Sequence, residues 1–409
     1  MNKIIIKAAA FFCLGLVLCQ MGISATITIG KNREILVDGK PFFPIFVGMQ
    51  NRSKISELKQ YGFNTFFTQG DSSTALQYCD EAKNNNVYAV VHFKEDQVGP
   101  VKNHPALLGW VYADEPDMQG KDKKAPRIPM QESVSVYRKC KSMDPTHLMF
   151  LTLTTGYNKV TTDRNSEVTR GKDLDFYRDY AKATDVIGYD TYPIFGNMQP
   201  DCLWWVPSAA KELDKLMEGK KPLFSWIETN GGSKWITASK QRHPFPFEIR
   251  CEVWMSIVNG CNAIGYFTHT WVAMDKIGNP LYTKRGGYEG DYKQFGVPKD
   301  NCEELKKINK QITKLTPILC LANIKGKVKE EELSGGEVDI MVKQDNNSTY
   351  VFAVNMKRQK EKVKFTIEGL KKGTKIEVDE ENRKIDAEDG FFTDDFTEHA
   401  VHIYKVQVK

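Results

Sequence analysis

Leu107-Leu108-Gly109-Trp110-Val111-Tyr112-Ala113-Asp114-Glu115-Pro116 reads as a strand that ends in two carboxylates. Its near-continuous apolar run is the pattern of a parallel strand buried on both faces. On either side the chain repeats the same strand-then-helix grammar. Strands are expected at 44–48, 63–68, 87–93, 107–113, 147–153, 185–190, 222–227 and 263–267. Helices are expected at 53–61, 72–84, 129–141, 174–182, 206–217 and 246–258, the last stopped by Gly260. A final helix opens at Asp300, with Glu303 placed as a capping-box partner and Leu305, Ile308, Ile312 and Leu315 on one face.

Eight such units within about 280 residues fit a (β/α)8 TIM barrel. A doubly wound open sheet is the rival, but no Gly-rich phosphate loop opens any helix, which also excludes a nucleotide ligand. After Pro317 the pattern changes to short β-rich runs at 338–342, 350–356, 363–367, 375–378 and 400–406, separated by turns such as Asp345-Asn346-Asn347-Ser348. That is the signature of an all-β sandwich. The expected fold class is therefore α/β: a (β/α)8 TIM barrel over 26–320, entered through a short hairpin, with a small C-terminal β-sandwich over 321–409.

Composition narrows the function. The chain has 409 residues, 41% hydrophobic and 27% charged, with a net charge of +5, which is ordinary globular usage. No basic helix or arginine-rich stripe marks a nucleic-acid reader. Residues 1–25 read as a secretory signal peptide: Lys3 and Lys7, a short apolar run, then Ile23-Ser24-Ala25. The expected location is secreted or periplasmic, with membrane contact only if Cys19 is lipidated. Seven cysteines follow that segment. Cys251 and Cys261 are open to a bridge, with buried free thiols as the alternative. No Cys/His cluster has metal spacing, and no cofactor is expected.

Barrel active sites lie at the C-terminal ends of the strands. The fourth strand ends in Asp114-Glu115-Pro116, and the seventh ends in Trp226-Ile227-Glu228-Thr229-Asn230. Strands four and seven face each other across an eight-strand ring. Two facing carboxyls are what glycosidic bond cleavage needs: one protonates the leaving oxygen, the other attacks the anomeric carbon or activates a water. Around them stand further strand-end residues. Gly188, Asp190 and Tyr192 share a face of the sixth strand, with Tyr189 as the alternative to Tyr192. His92 ends the third strand and His269 the eighth, followed by Trp271; Trp204, Trp205 and Trp235 lie in neighbouring loops and offer sugar-stacking surfaces.

These residues carry a resemblance. The chain resembles the clan A glycoside hydrolases over about residues 26–320, through Asp114-Glu115-Pro116 and Ile227-Glu228. The resemblance implies a retaining enzyme, with Glu115 as acid/base, Glu228 as nucleophile, Tyr192 bonded to that nucleophile and Trp271 under the sugar. It also implies a substrate-contacting Asn where this chain has Asp114. A charged Asp114 is then expected to hold Glu115 protonated. The implied partner is an oligo- or polysaccharide, probed against one alternative: a non-catalytic glycan-binding protein on the same scaffold. A metal-dependent barrel hydrolase would need His-x-His at strand ends, and none is present.

Overall fold

The computed structural model describes residues 24–68, 74–118, 120, 125–158, 174–233, 241–272 and 292–407. The signal segment with Cys19, and Trp235, therefore lie outside the described residues. Three short antiparallel strands, β1 (Ile27–Ile29), β2 (Ile35–Val37) and β3 (Lys40–Phe42), lead into the barrel, adding a third strand to the expected hairpin.

Eight parallel strands then close on themselves: β4 (Ile45–Val47), β5 (Thr65–Phe67), β6 (Tyr88–His92), β7 (Leu107–Asp114), β8 (Leu148–Leu153), β9 (Val186–Asp190), β10 (Leu223–Glu228) and β11 (Cys261–Phe267). Barrel strands four and seven are thus β7 and β10. The helices are α1 (Ile55–Leu58), α2 (Ala75–Asn84), α3 (Glu95–Val101), α4 (Met130–Met143), α5 (Leu174–Ala181), α6 (Trp205–Leu216), α7 (Pro246–Val258) and α8 (Lys299–Leu319).

Two apolar layers hold this barrel. Inside it, Phe46, Phe67, Phe150, Phe224 and Trp226 meet edge to face, with ring centroids 4.8 Å apart for Phe46–Phe67 and 5.3 Å for Phe67–Trp226. Such large rings fit only because the neighbouring strands β9 and β11 supply glycines at the paired positions. A Cβ on Gly265 would lie 2.5 Å from the Trp226 ring, and one on Gly188 would lie 2.3 Å from Phe224. Outside the strands, Ile45, Val47, Trp110, Tyr189 and Ile227 pack against the helices.

The C-terminal region forms two antiparallel sheets. One holds β12 (Val328–Glu332), β15 (Glu361–Ile367) and β18 (Phe391–Phe396). The other holds β13 (Val338–Gln344), β14 (Ser348–Asn355), β19 (Val401–Gln407), β16 (Lys375–Val378) and β17 (Arg383–Asp386). Val351, Val363, Phe365, Phe392 and Tyr404 fill the space between them. β14 is buried along its whole length because its other face packs on the barrel, where Phe352 stacks on Trp254 of α7 at 5.7 Å. That double burial is why β14 shows no polar alternation.

The structure corrects several element expectations. The first helix shrinks to α1, flanked by 3-10 turns and ended by Gly62 at φ +85°. α3 lies outside the expected helices and holds Gly99 and Pro100, which weaken a helical signal; Glu95 and Asp96 in its first turn favour the helix start. α8 starts at Lys299 behind Pro298 and has no side-chain cap, so the expected Asp300 capping box does not form. β12 and β17 were missed because exposed charged residues dominate both. Cys251 and Cys261 are free and buried, as are four of the other five described cysteines; Cys202 is half-buried.

Candidate active site

The C-terminal mouth of the barrel holds a narrow pit lined by Gly48, Met49, Phe67, Asp114, Asp190, Tyr192, Trp226 and Phe267. Its floor is Trp226, whose indole N–H donates to Thr152 Oγ1 at 2.9 Å. Asp114 and Asp190, the last residues of β7 and β9, bring two carboxyls to its wall.

Glu115 follows β7 directly and is buried. Its φ is +44°, a left-handed conformation that costs a non-glycine residue about 1–3 kcal/mol. Neighbouring bonds hold it there. Its N–H donates to the Thr152 carbonyl at 3.1 Å, and its carbonyl accepts the Met118 N–H at 3.0 Å. Arg127, in the loop before α4, places Nη2 3.8 Å from Glu115 Oε2 and donates from Nη1 to the Asp114 carbonyl at 2.9 Å. Burial pushes the Asp114 carboxyl above its ordinary range, and the Arg127 charge works against that rise. The expected charge on Asp114 is thus opposed by burial and supported by Arg127.

Glu228 ends β10 with 0% of its surface exposed. Its Oε1 accepts the Ile194 N–H at 2.8 Å, and its Oε2 accepts the Phe195 N–H. The carboxylate thus gathers the loop after β9. Burial pushes its pKa up to about 7, although Glu252 of α7 and the two amides bond to it and pull the other way.

Tyr192 ties these groups together. Burial first, then the charges of Asp190, Asp114, Glu115 and Glu228, push its phenol well above the usual tyrosine range. One phenol therefore stands within electrostatic reach of four carboxyls from β7, β9 and β10. Tyr189 points away from the mouth, its hydroxyl donating to the Val206 carbonyl at 2.9 Å.

An aromatic cluster continues from Tyr192. Its ring lies 5.0 Å from Phe267, which stacks on Trp271 at 5.8 Å and on His269 at 5.6 Å. His269 is itself buried: one ring nitrogen meets the Gly48 carbonyl at 3.3 Å and the other the Tyr292 hydroxyl at 2.6 Å. Burial lowers its pKa to about 4, so the ring is neutral.

Other expected contacts lie apart. His92 lies tilted beside Tyr112, ring centroids 6.2 Å apart, and bonds the Phe93 carbonyl through Nδ1 at 3.3 Å. Trp205 is buried as the first residue of α6, next to Trp204, and does not join the mouth cluster. Sequence reading missed Arg127, Met49, Phe67, Phe267 and Glu252. For Glu252 a signal existed: it is an acid in the middle of a helix whose neighbours Ile249, Val253, Met255 and Ile257 are all apolar. Among the described residues no group of His, Cys, Asp or Glu could hold a metal ion, and no helix is long and apolar enough to cross a membrane.

No family model and no curated relative matches the chain. Solved structures do. A glycoside hydrolase is 15% identical over 93% of this chain and 96% of its own, with a TM-score of 0.54. A glycoside hydrolase family 5 protein from Bacteroides vulgatus is 13% identical over 93% of each chain, with a TM-score of 0.55. The barrel fold is shared with these solved structures. The α-amylase from Geobacillus thermoleovorans, solved with acarbose, shares the fold at 13% identity over 90% of this chain and 98% of its own, with a TM-score of 0.52.

Proposed function

We propose that this chain is a retaining glycoside hydrolase that cleaves O-glycosidic bonds, β-linked, in an oligo- or polysaccharide. The reading assigns Glu115 as acid/base and Glu228 as nucleophile. Glu115 would give its proton to the leaving oxygen while Glu228 attacks the anomeric carbon; water then releases the sugar with Glu115 acting as base. Asp114, Asp190 and Tyr192 would contact the sugar in the pit, and Trp271 with its aromatic neighbours would continue the surface for it. His92 and Trp235 would make more distant contacts, while the burial of Trp205 in α6 leaves it no sugar-facing surface. The observation that supports this most is the gathering of Asp114, Asp190, Glu115 and Glu228 around the Tyr192 phenol. The reading includes export through residues 1–25, to a secreted or periplasmic location, with membrane attachment only through a lipidated Cys19.

The test is a screen of the purified protein against polysaccharides and aryl glycosides, followed by two variants. Glu228→Ala is expected to abolish turnover on every substrate, because the covalent intermediate is lost. Glu115→Ala is expected to spare aryl glycosides with activated leaving groups, and azide is expected to rescue it. Equal loss on activated and unactivated substrates would remove Glu115 from the acid role.

A second reading has its own observation. Glu228 is fully buried, while the pit itself is walled by Asp114, Asp190, Tyr192 and Trp226. A glycan-binding protein without turnover would need no exposed nucleophile. Saturable glycan binding, no hydrolysis, and unchanged affinity in Glu228→Gln would select it.

A further inference from the structure

α7 carries two buried glutamates four residues apart, Glu248 and Glu252, and the chain treats them oppositely. Glu248 is fully supplied with donors: Arg242 reaches it from Nη1 and Nη2 at 2.7 Å each, and the Phe245 N–H at 2.7 Å. Glu252 is 0% exposed, and neither carboxyl oxygen makes a hydrogen bond of good geometry among the described residues, although the Glu228 backbone N–H lies near it. The group its carboxyl does meet is the carboxyl of Glu228, also 0% exposed.

Two carboxyls in contact, buried and without a cation between them, do not both ionise. One proton has to remain in the pair. The surroundings decide where it rests. Glu228 already receives the Ile194 and Phe195 N–H groups, one on each oxygen, and these favour its charged form. Glu252 has only the Glu228 backbone N–H nearby, outside good hydrogen-bond geometry.

We propose that Glu252 is a positioning residue for Glu228: it keeps its proton and donates its O–H to the Glu228 carboxylate, completing a clamp with the Ile194 and Phe195 amides. The proposal rests on the reading of Glu228 as nucleophile. The clamp orients that carboxylate and lets it ionise without an ion-paired arginine. The titratable groups facing the pair are Glu248 with its Arg242, His399 near Glu248, the Cys251 thiol and the Tyr192 phenol. Burial, then the Glu228 charge, push Glu252 well above the usual carboxyl range, in agreement with this arrangement.

The experiment has two arms. Infrared difference spectra of wild type against Glu252→Gln, recorded at mildly alkaline pH, are expected to show a protonated-carboxyl carbonyl band that the variant lacks and that Glu115→Gln retains. Spectra in which no protonated-carboxyl band is lost on going to Glu252→Gln overturn the proposal. This arm needs no substrate, so failure to find a cleaved glycoside would count against the glycosidase reading alone. In the second arm, Glu252→Gln keeps a neutral donor and is expected to hold kcat/KM within a few-fold, with the acid limb of its pH profile unmoved. Glu252→Leu removes the donor and is expected to lose roughly 10- to 100-fold, the worth of one hydrogen bond to a charged group, with the acid limb moved to higher pH. Should the leucine variant not fold, the infrared comparison with glutamine still decides. Equal losses in both variants with unmoved limbs would overturn the proposal.

Discussion

Arg127 stands 3.8 Å from the Glu115 carboxylate through Nη2 and holds the Asp114 carbonyl through Nη1 at 2.9 Å, so one guanidinium braces both carboxyl residues at the end of β7. The brace explains how a glutamate with a φ of +44° keeps one orientation at the barrel mouth.

Replacing Arg127 by Met removes the charge and keeps most of the packing. Without the cation the ionised form of Glu115 is less favoured, so the alkaline limb of kcat/KM against pH is expected to move up. Because the Arg127 side chain is 41% exposed, solvent screens the pair. The expected move is a few tenths of a pH unit, within the ~0.2–1 kcal/mol of exposed pairs. A limb that stays in place would detach Glu115 from the proton that limb reports.

Asp114→Asn tests the neighbouring carboxyl. Burial raises the Asp114 pKa, so asparagine keeps the shape and tests whether a charge there acts on Glu115. Activity at the optimum is expected to stay within a few-fold, and the alkaline limb to move little. A clear downward move, measured as kcat/KM against pH, would mean that Asp114 is charged and was holding Glu115 protonated.

The pit floor depends on glycine. In Gly265→Ala the new Cβ would meet the Trp226 ring at 2.5 Å, in a barrel interior with no slack. The expected cost is about 1–3 kcal/mol, read from denaturant or thermal unfolding. Gly99→Ala is the contrast: beyond its chain neighbours its Cβ would meet nothing within 4 Å, and the helix gain of about 0.5–1 kcal/mol is offset by crowding against Pro100, so that variant is expected to change stability far less than Gly265→Ala. Equal effects would mean that interior packing does not limit Trp226.

Glu228 also predicts a pH dependence of stability. Its pKa rises from 4.5 unfolded to about 7 folded. The folded chain therefore binds the proton more tightly, and this contribution is complete below pH 4.5 and is lost as pH rises through about 7. His269, lowered from 6.5 to about 4, acts in the opposite sense over part of that window. The comparison with Glu228→Gln removes the histidine's share. Wild type is expected to lose stability relative to that variant between pH 5 and 7 as its own carboxyl ionises, an effect on the order of 1–3 kcal/mol. A stability difference that is flat with pH would place the ionisation elsewhere.

The barrel was legible in the chain because parallel strands buried on both faces must be apolar along their length, and residues 87–93, 147–153 and 222–227 advertise it. The carboxyl ends of β7 and β10 were legible for the same reason: a charge directly after such a run can only stand at the barrel mouth. The β-rich tail was legible from its turns, while β12 and β17 were hidden by their charges.

What tertiary structure alone decided was which way the side chains turn. Sequence placed Glu115 and Glu228 at two strand ends, but only folding brought the Ile194 and Phe195 amides and Glu252 onto Glu228, from a loop and a helix 24–34 residues away. It also brought Arg127 onto Glu115, kept Trp205 in the wall of α6, and chose Tyr192 over Tyr189 for the mouth. Period-two alternation assigns a face within a strand. It says nothing of contacts made beyond the strand's end, where loops and helices distant in sequence supply the donors that set each carboxyl's charge.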